Sequence, residues 1–416
     1  MYAFRKPFAA ATFEGQFFLG TQVALKTALV ISQILGYALS KYVGIKVCSE
    51  VVPSRRAGLL VGLVVWAQGA LVLYGFLPDD WKVVAIFLNG LPLGMIWGLV
   101  VWYLEGRRTS EILLAGLSLS FIIASGVVKD FGRALMEGVV AGWWQAVPLV
   151  GPPLGRLLGR VSEGWMPAVA GFHFLPVFLG SVWLLNQLPR PSDADILARV
   201  EREPMGGADR LAFIRQFALG LGFLCLAYFF LTAYRDFRDN YQVEIFDGLG
   251  YPYANNKTVI SKAETIVMFG VLGVLALLNL VKDNRHGLLA ALAIMSGGVL
   301  LLGVSTALLQ AGMLDGFWWM TLTGLGSYLA YVPYGSVLFD RLIASTRVVG
   351  TAVFAIYLAD AIGYTGSVGV QLYKDLAAGA VSRLNFFVGF TWFMSALGLV
   401  CLVVSAAYFA RRTRRP

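Results

Sequence analysis

Residues 189–215 read PRPSDADILARVEREPMGGADRLAFIR, the one long polar stretch in an otherwise apolar chain of 416 residues. A capping candidate, Ser192 followed by Asp193 and Asp195, opens a short amphipathic run through Val200; Pro204, Gly206 and Gly207 break it. Outward from this segment the chain holds apolar runs separated by short breakers. Before it lie Met1–Phe18, Thr21–Val47, Ala57–Leu77, Lys82–Leu104, Thr109–Met136 and Met166–Leu188. After it lie Phe213–Asp236, Thr258–Val281, Leu288–Met313, Phe317–Phe339, Val348–Leu372 and Phe386–Phe409. Six spans stand on each side of one connector. The division predicts three parts: residues 1–188, a linker over 189–212, and 213–416.

Composition agrees. The chain is 58% hydrophobic and 14% charged, with a mean hydropathy of +0.72. A soluble domain has about 45–50% apolar and about 25% charged residues. A soluble enzyme, a disordered tail and a disulfide scaffold are excluded; a membrane protein of about a dozen spans is indicated. Cys48, Cys225 and Cys401 lie in or near apolar runs, too few for a disulfide framework or a metal cage. No catalytic triad, phosphate-binding glycine loop or metal cluster is legible, so neither an enzyme nor a cofactor is expected.

The formal charge of +9 follows the loops and gives no reason to expect nucleic acid as a partner. SRR (54–56), GRR (106–108), KDNRH (282–286), Arg347 and the tail RRTRRP fall on one side. LPDD (77–80), residues 142–165, 239–257 and 314–316 fall on the other. The basic side is expected in the cytoplasm. Both termini are then cytoplasmic, in the inner membrane of a bacterium, with the chain a monomer among lipids. The first span is short: Met1–Phe18 as a helix reaches only about 27 Å, with Arg5 almost at its start. An upstream start is expected, or else a span that begins partway through the bilayer.

The halves echo one another. Ala3-Phe4-Arg5-Lys6 matches Ala233-Tyr234-Arg235-Asp236, Lys26-Thr27 matches Lys257-Thr258, and Asn89-Gly90-Leu91-Pro92 matches Thr323-Gly324-Leu325-Gly326. Three matches in order at a nearly constant offset suggest a repeat, with the first and seventh spans facing each other.

Charges inside apolar runs are functional-site hypotheses by default. Arg5 and Arg235 are the sharpest pair, since two guanidiniums from equivalent helices could close on one anion. The alternatives pair Arg5 with Glu14 or Glu264, and Arg235 with Asp239 one turn on. In RDFRDN (235–240), Asp236, Arg238 and Asp239 form either a self-neutralised helix end or an outer gate. Lys26 and Lys41 on the second span add positive potential. Glu264 and Asp360 are the carboxylates to test for proton coupling, with structural ion pairs as the other reading. Lys129, Asp130 and Arg133 sit where they can reach the membrane interface. Tyr331 and Tyr357, among the tyrosines of spans ten and eleven, suit a cavity wall or simple packing.

Residues 87–111, FLNGLPLGMIWGLVVWYLEGRRTSE, resemble the fourth span and following loop of the major facilitator superfamily. YAFRKPFA (2–9) and YALSKYVGIKVCSE (37–50) are similar to the first and second spans of its organophosphate:phosphate antiporters. That resemblance implies an all-α fold of 12 transmembrane helices in two pseudo-symmetric six-helix bundles. It also implies a phosphate-contacting arginine at Arg5, a lysine at Lys41 and a second arginine at Arg235. Glu50 replaces the family's usual Asp, its fifth-span histidine has no match, and YLAYVPYGSVLFDRLIAS with YLADAIGYTGS resembles an uncharacterised bacterial branch.

The function expected is secondary active transport of a small organic anion, phosphorylated or carboxylated, by alternating access. A proton or a counter-anion would be its coupling partner. A non-transporting membrane sensor on the same fold stays open, as does a proton-coupled exporter of hydrophobic or cationic compounds.

Overall fold

The computed structural model describes residues 1–50, 53–104, 110–146, 155, 159–189, 207–252, 255–278, 280–346 and 352–413. Most of the expected linker, Ser192 included, lies outside the described residues, as does the side chain of Tyr357.

The helices are α1 Tyr2–Arg5, α2 Leu25–Glu50, α3 Arg56–Phe76, α4 Lys82–Leu104, α5 Ser110–Met136, α6 Val139–Gln145, α7 Met166–Asn186 and α8 Gly207–Gln216. They continue as α9 Ala218–Asn240, α10 Gln242–Gly248, α11 Val259–Leu278, α12 Asn284–Gln310, α13 Gly316–Ser336, α14 Leu338–Thr346, α15 Ala352–Leu376 and α16 Arg383–Arg412. Among the described residues, seven helices are long and apolar enough to cross a membrane on those grounds alone. Large apolar side chains such as Trp66, Phe172, Trp183, Phe269, Leu300 and Val400 remain exposed. In lipid they need no cover, because hydrocarbon is as apolar as they are.

Eleven of the expected spans become helices within a few residues of their expected bounds, but the first does not. Residues 2–5 make one α-turn and 7–10 one 3-10 turn; Phe13 and Leu19 then take positive φ. Pro7 explains the break. It has no N–H to give the carbonyl four residues back, and its ring clashes with a continuing helix.

Contacts sort the rest into two bundles. In the first, α2 packs along α4, and α3 packs against α4 and α7. In the second, α9 packs against α15 and α16, and α12 against α13 and α16. The bundles meet chiefly where α5 lies against α11 and α2 against α15. Gly90 lets α2 and α4 touch: a Cβ there would stand 2.5 Å from the Gln33 carbonyl oxygen.

The spans alternate in direction, which gives the molecule two ends. Residues 77–81, 137–146, 159–165, 241–252, 255–258 and 377–382 share one end. Arg56, Lys282, Arg341 and Arg412 lie at the other, the basic end.

Candidate functional site

The broken first span leaves carbonyls without helical donors, and those of Phe4, Arg5 and Ala9 take side-chain donors instead. Asn89 donates to the Phe4 and Ala67 carbonyls at 2.9 and 3.0 Å. Gln33 donates to the Arg5 carbonyl at 2.9 Å and to Asn89 Oδ1 at 3.0 Å. Lys26 donates to the Ala9 carbonyl at 3.0 Å. These contacts make a rigid seat for Arg5.

Arg5 is 7% exposed. Its guanidinium lies 4.1 Å from the centre of the Tyr37 ring, and its Nε has no hydrogen-bond partner. Tyr2, Tyr364 and Asp236 are its further electrostatic neighbours. Neither acid expected for it takes it: Glu14 is exposed, and Glu264 binds Arg238 at 2.8 Å. Among the described residues, Arg5 is a buried cation without an ion pair.

Its counterpart in the second bundle is partnered differently. Arg235 lies 4.4 Å from the centre of the Tyr331 ring and pairs with Asp236 at 2.6 Å. Ser367 donates to the other Asp236 oxygen at 2.9 Å. Tyr331 stacks on Tyr228 with centroids 5.3 Å apart, and the Tyr228 hydroxyl donates to Asp360 Oδ1 at 2.8 Å. The second Asp360 oxygen takes Lys41 at 2.6 Å, from the other bundle. Lys41 itself sits 5.5 and 5.0 Å from the Tyr37 and Tyr364 rings. Arg5, Tyr37, Lys41, Asp360, Tyr228, Tyr331 and Arg235 thus follow one another from bundle to bundle as a belt of cations on aromatic faces, a favourable arrangement where water is scarce.

Nearer the end opposite the basic one, polar contacts seal the seam. Asp239 accepts Lys6 at 2.5 Å and Lys129 and Ser125 at 2.6 and 2.5 Å. Lys6 also reaches Asn240, and Lys129 also reaches Gln242 and the Asp239 carbonyl. Lys26 pairs with Glu244 at 2.6 Å, Thr27 bonds the Tyr241 hydroxyl at 2.7 Å, and the Ala24 N–H donates to Asp375 at 2.9 Å. The Ser261 N–H donates to Asp130 at 2.8 Å.

These placements correct two expectations. RDFRDN is the end of α9, which stops at Asn240, but it does not neutralise itself: all six side chains are buried, and Arg238 and Asp239 pair outside the run. Asp239 leaves Arg235 to Asp236 and goes to two lysines of the other bundle. Lys129, Asp130 and Arg133 do not reach an interface; they are buried, and Arg133 meets Asp247 at 3.5 Å.

Of the expected site residues, Arg5, Lys41, Arg235, Tyr331, Asp236 and Asp360 come together in the belt. Lys26, Arg238, Asp239 and Glu264 belong to the sealed end. Sequence reasoning missed Tyr37, Tyr228, Ser125 and Gln242. For Tyr37 a signal existed, since it stands one helical turn before Lys41 on α2. Nothing in the order of residues links Ser125 or Gln242 to the site.

Residues 7–412 match a protein family described as a family of unknown function (DUF5690). The chain belongs to that family. No curated protein matches the DUF5690 chain in sequence. Solved structures match its fold. A D-xylose-proton symporter aligns with a TM-score of 0.59 and 12% identity, covering 97% of this chain and 94% of that one. A bacterial homologue of the human drug peptide transporters PepT1 and PepT2 aligns at 0.60 and 14%, covering 99% and 95%. A peptide transporter POT in complex with alafosfalin aligns at 0.57 and 15%, covering 99% and 92%. The shared architecture is the 12-helix major facilitator fold. At these identities the likeness concerns fold alone.

Proposed function

We propose that this DUF5690 protein is a secondary transporter that carries a small organic anion between its two bundles by alternating access, with Arg5 as the charge that receives it. The three structural neighbours, a symporter, a homologue of peptide transporters and a peptide transporter, support the general reading. Charge bookkeeping supports the anion. Around the belt and the seam, Arg5, Lys6, Lys129, Arg235 and Arg238 face four carboxylates, Asp130, Asp236, Asp239 and Glu264, while Lys26–Glu244, Lys41–Asp360 and Arg133–Asp247 close on themselves. The count leaves one cation in excess, and among these five Arg5, seated on Tyr37, is the one without an ion pair among the described residues. A buried charge without a counter-charge is costly, and a visiting anion relieves that cost.

Within this reading Asp239 holds the gate, because its partners lie in the other bundle. Asp360, held by Lys41 from one bundle and Tyr228 from the other, is the carboxylate placed for proton coupling. Glu264 and Arg238 pair inside the second bundle and fix the charged face of α9. The positive-inside rule puts the basic end in the cytoplasm of a bacterial cell, so the sealed end faces outward. An exporter of cations would want surplus negative charge, which this site lacks.

The test is a thermal-shift screen of the purified protein against phosphorylated and carboxylated metabolites. A ligand at 100 times its Kd should stabilise the protein by about 2.7 kcal/mol. The effect should vanish in Arg5→Ala. No stabilising anion, or stabilisation that survives Arg5→Ala, refutes the reading. Flux into proteoliposomes separates a carrier from a sensor, which binds without moving its ligand.

A further inference from the structure

Asp239 is held from the first bundle only. Its Oδ1 receives Lys129 and Ser125, which lie four residues apart on one face of α5. Its Oδ2 receives Lys6, the neighbour of Arg5 in sequence. Lys129 is fully buried and Lys6 nearly so. These donors form a cradle for a flat, two-oxygen group, built entirely by one bundle and filled by the other. The remaining acceptors of the two lysines, Asn240 Oδ1, Gln242 Oε1 and the Asp239 carbonyl, also belong to the second bundle. When the bundles part at this end, all of them leave together.

We infer that the cradle of Lys6, Lys129 and Ser125 is a second carboxylate site, which takes a carboxylate of the cargo once Asp239 withdraws. This rests on the alternating-access reading above. Asp239 is then a tethered stand-in for cargo. Two buried lysines stripped of every acceptor oppose opening, so the sealed end opens when a free carboxylate replaces the tethered one. Lys6 stands beside Arg5, so a small anion passes from one site to the other without leaving positive surroundings.

Formate is the probe. Asp239→Ala leaves a carboxylate-sized gap, and formate should raise that variant's melting temperature by about 2–4 °C. Wild type, whose cradle is full, should rise less, by what Arg5 alone contributes, and Asp239→Ala/Lys129→Met no more than wild type. A rise in Asp239→Ala no larger than that of wild type, or one undiminished without Lys129, overturns the inference.

Should Asp239→Ala fail to fold, Lys129→Met alone decides, titrated with succinate. A second site predicts weaker succinate binding than wild type; a mere lock predicts equal or tighter binding, because the end opens more easily. Inorganic phosphate, run in parallel, should gain less than formate, and an equal gain overturns the carboxylate assignment. Arg5→Ala keeps the two readings apart. Formate rescue that fails while Arg5-dependent binding persists sinks the cradle alone; rescue that holds while Arg5→Ala changes nothing sinks the Arg5 site alone.

Discussion

At the scale of one residue, Gln33 carries the argument. Its amide bonds the Arg5 carbonyl and Asn89 together, in a place where Pro7 has removed the helical alternative. Gln33→Leu keeps the bulk and removes the donor. It should destabilise the protein by about 1–3 kcal/mol, because a buried carbonyl loses its partner. Anion binding should weaken with it, since Arg5 loses its seat. A melting curve and the thermal-shift screen read the two effects; a variant as stable as wild type would show that the carbonyl finds water instead. Arg5 and Arg235 were legible in the sequence as charges within apolar runs. Their partners were not. The helical rule pairs Arg235 with Asp239, but successive residues on a buried helix face different neighbours, and Asp239 meets the first bundle while Asp236 meets α15.

At the scale of elements, eleven spans could be read because length and hydrophobicity set them, and the first could not because Pro7 outweighs its apolar character. Close helix contacts were legible only as glycines. Gly90 on α4 is the sharpest case: Gly90→Ala drives a methyl into the backbone of α2, and overpacking of this kind costs about 1–3 kcal/mol. Gly62 on α3 has open space beyond its Cβ position, so Gly62→Ala should leave the melting temperature close to that of wild type or above it. A second element-scale outcome concerns pH. Asp283 caps α12, and the hydrogen bond from the His286 N–H holds its carboxyl below the usual carboxylate range. A lowered folded-state pKa contributes stability above the unfolded value and loses it as pH falls through the folded one. Asp283→Ala should therefore lower the melting temperature at neutral pH, and the gap from wild type should close on acidification.

At the scale of the whole molecule, Lys41–Asp360 is the ion pair that crosses between bundles through the middle of the belt. Removing one partner of a fully buried pair costs about 3–5 kcal/mol. Here the side chains keep 22% and 16% of their exposure, so solvent screening reduces the loss to about 1–3 kcal/mol. Lys41→Met and Asp360→Leu should each destabilise by that amount, and the double variant by less than either, because no charge is left stranded. Additive losses would show that the two charges do not sense each other. Transport tests the same pair differently. If Asp360 carries the coupling proton, Asp360→Asn reconstituted in liposomes should still exchange labelled anion for unlabelled anion across the membrane. It should no longer accumulate anion against a gradient when a pH difference is imposed. Accumulation that persists in Asp360→Asn would move the coupling away from the belt, and with it the reason for a lysine and an aspartate to meet between two bundles that must part.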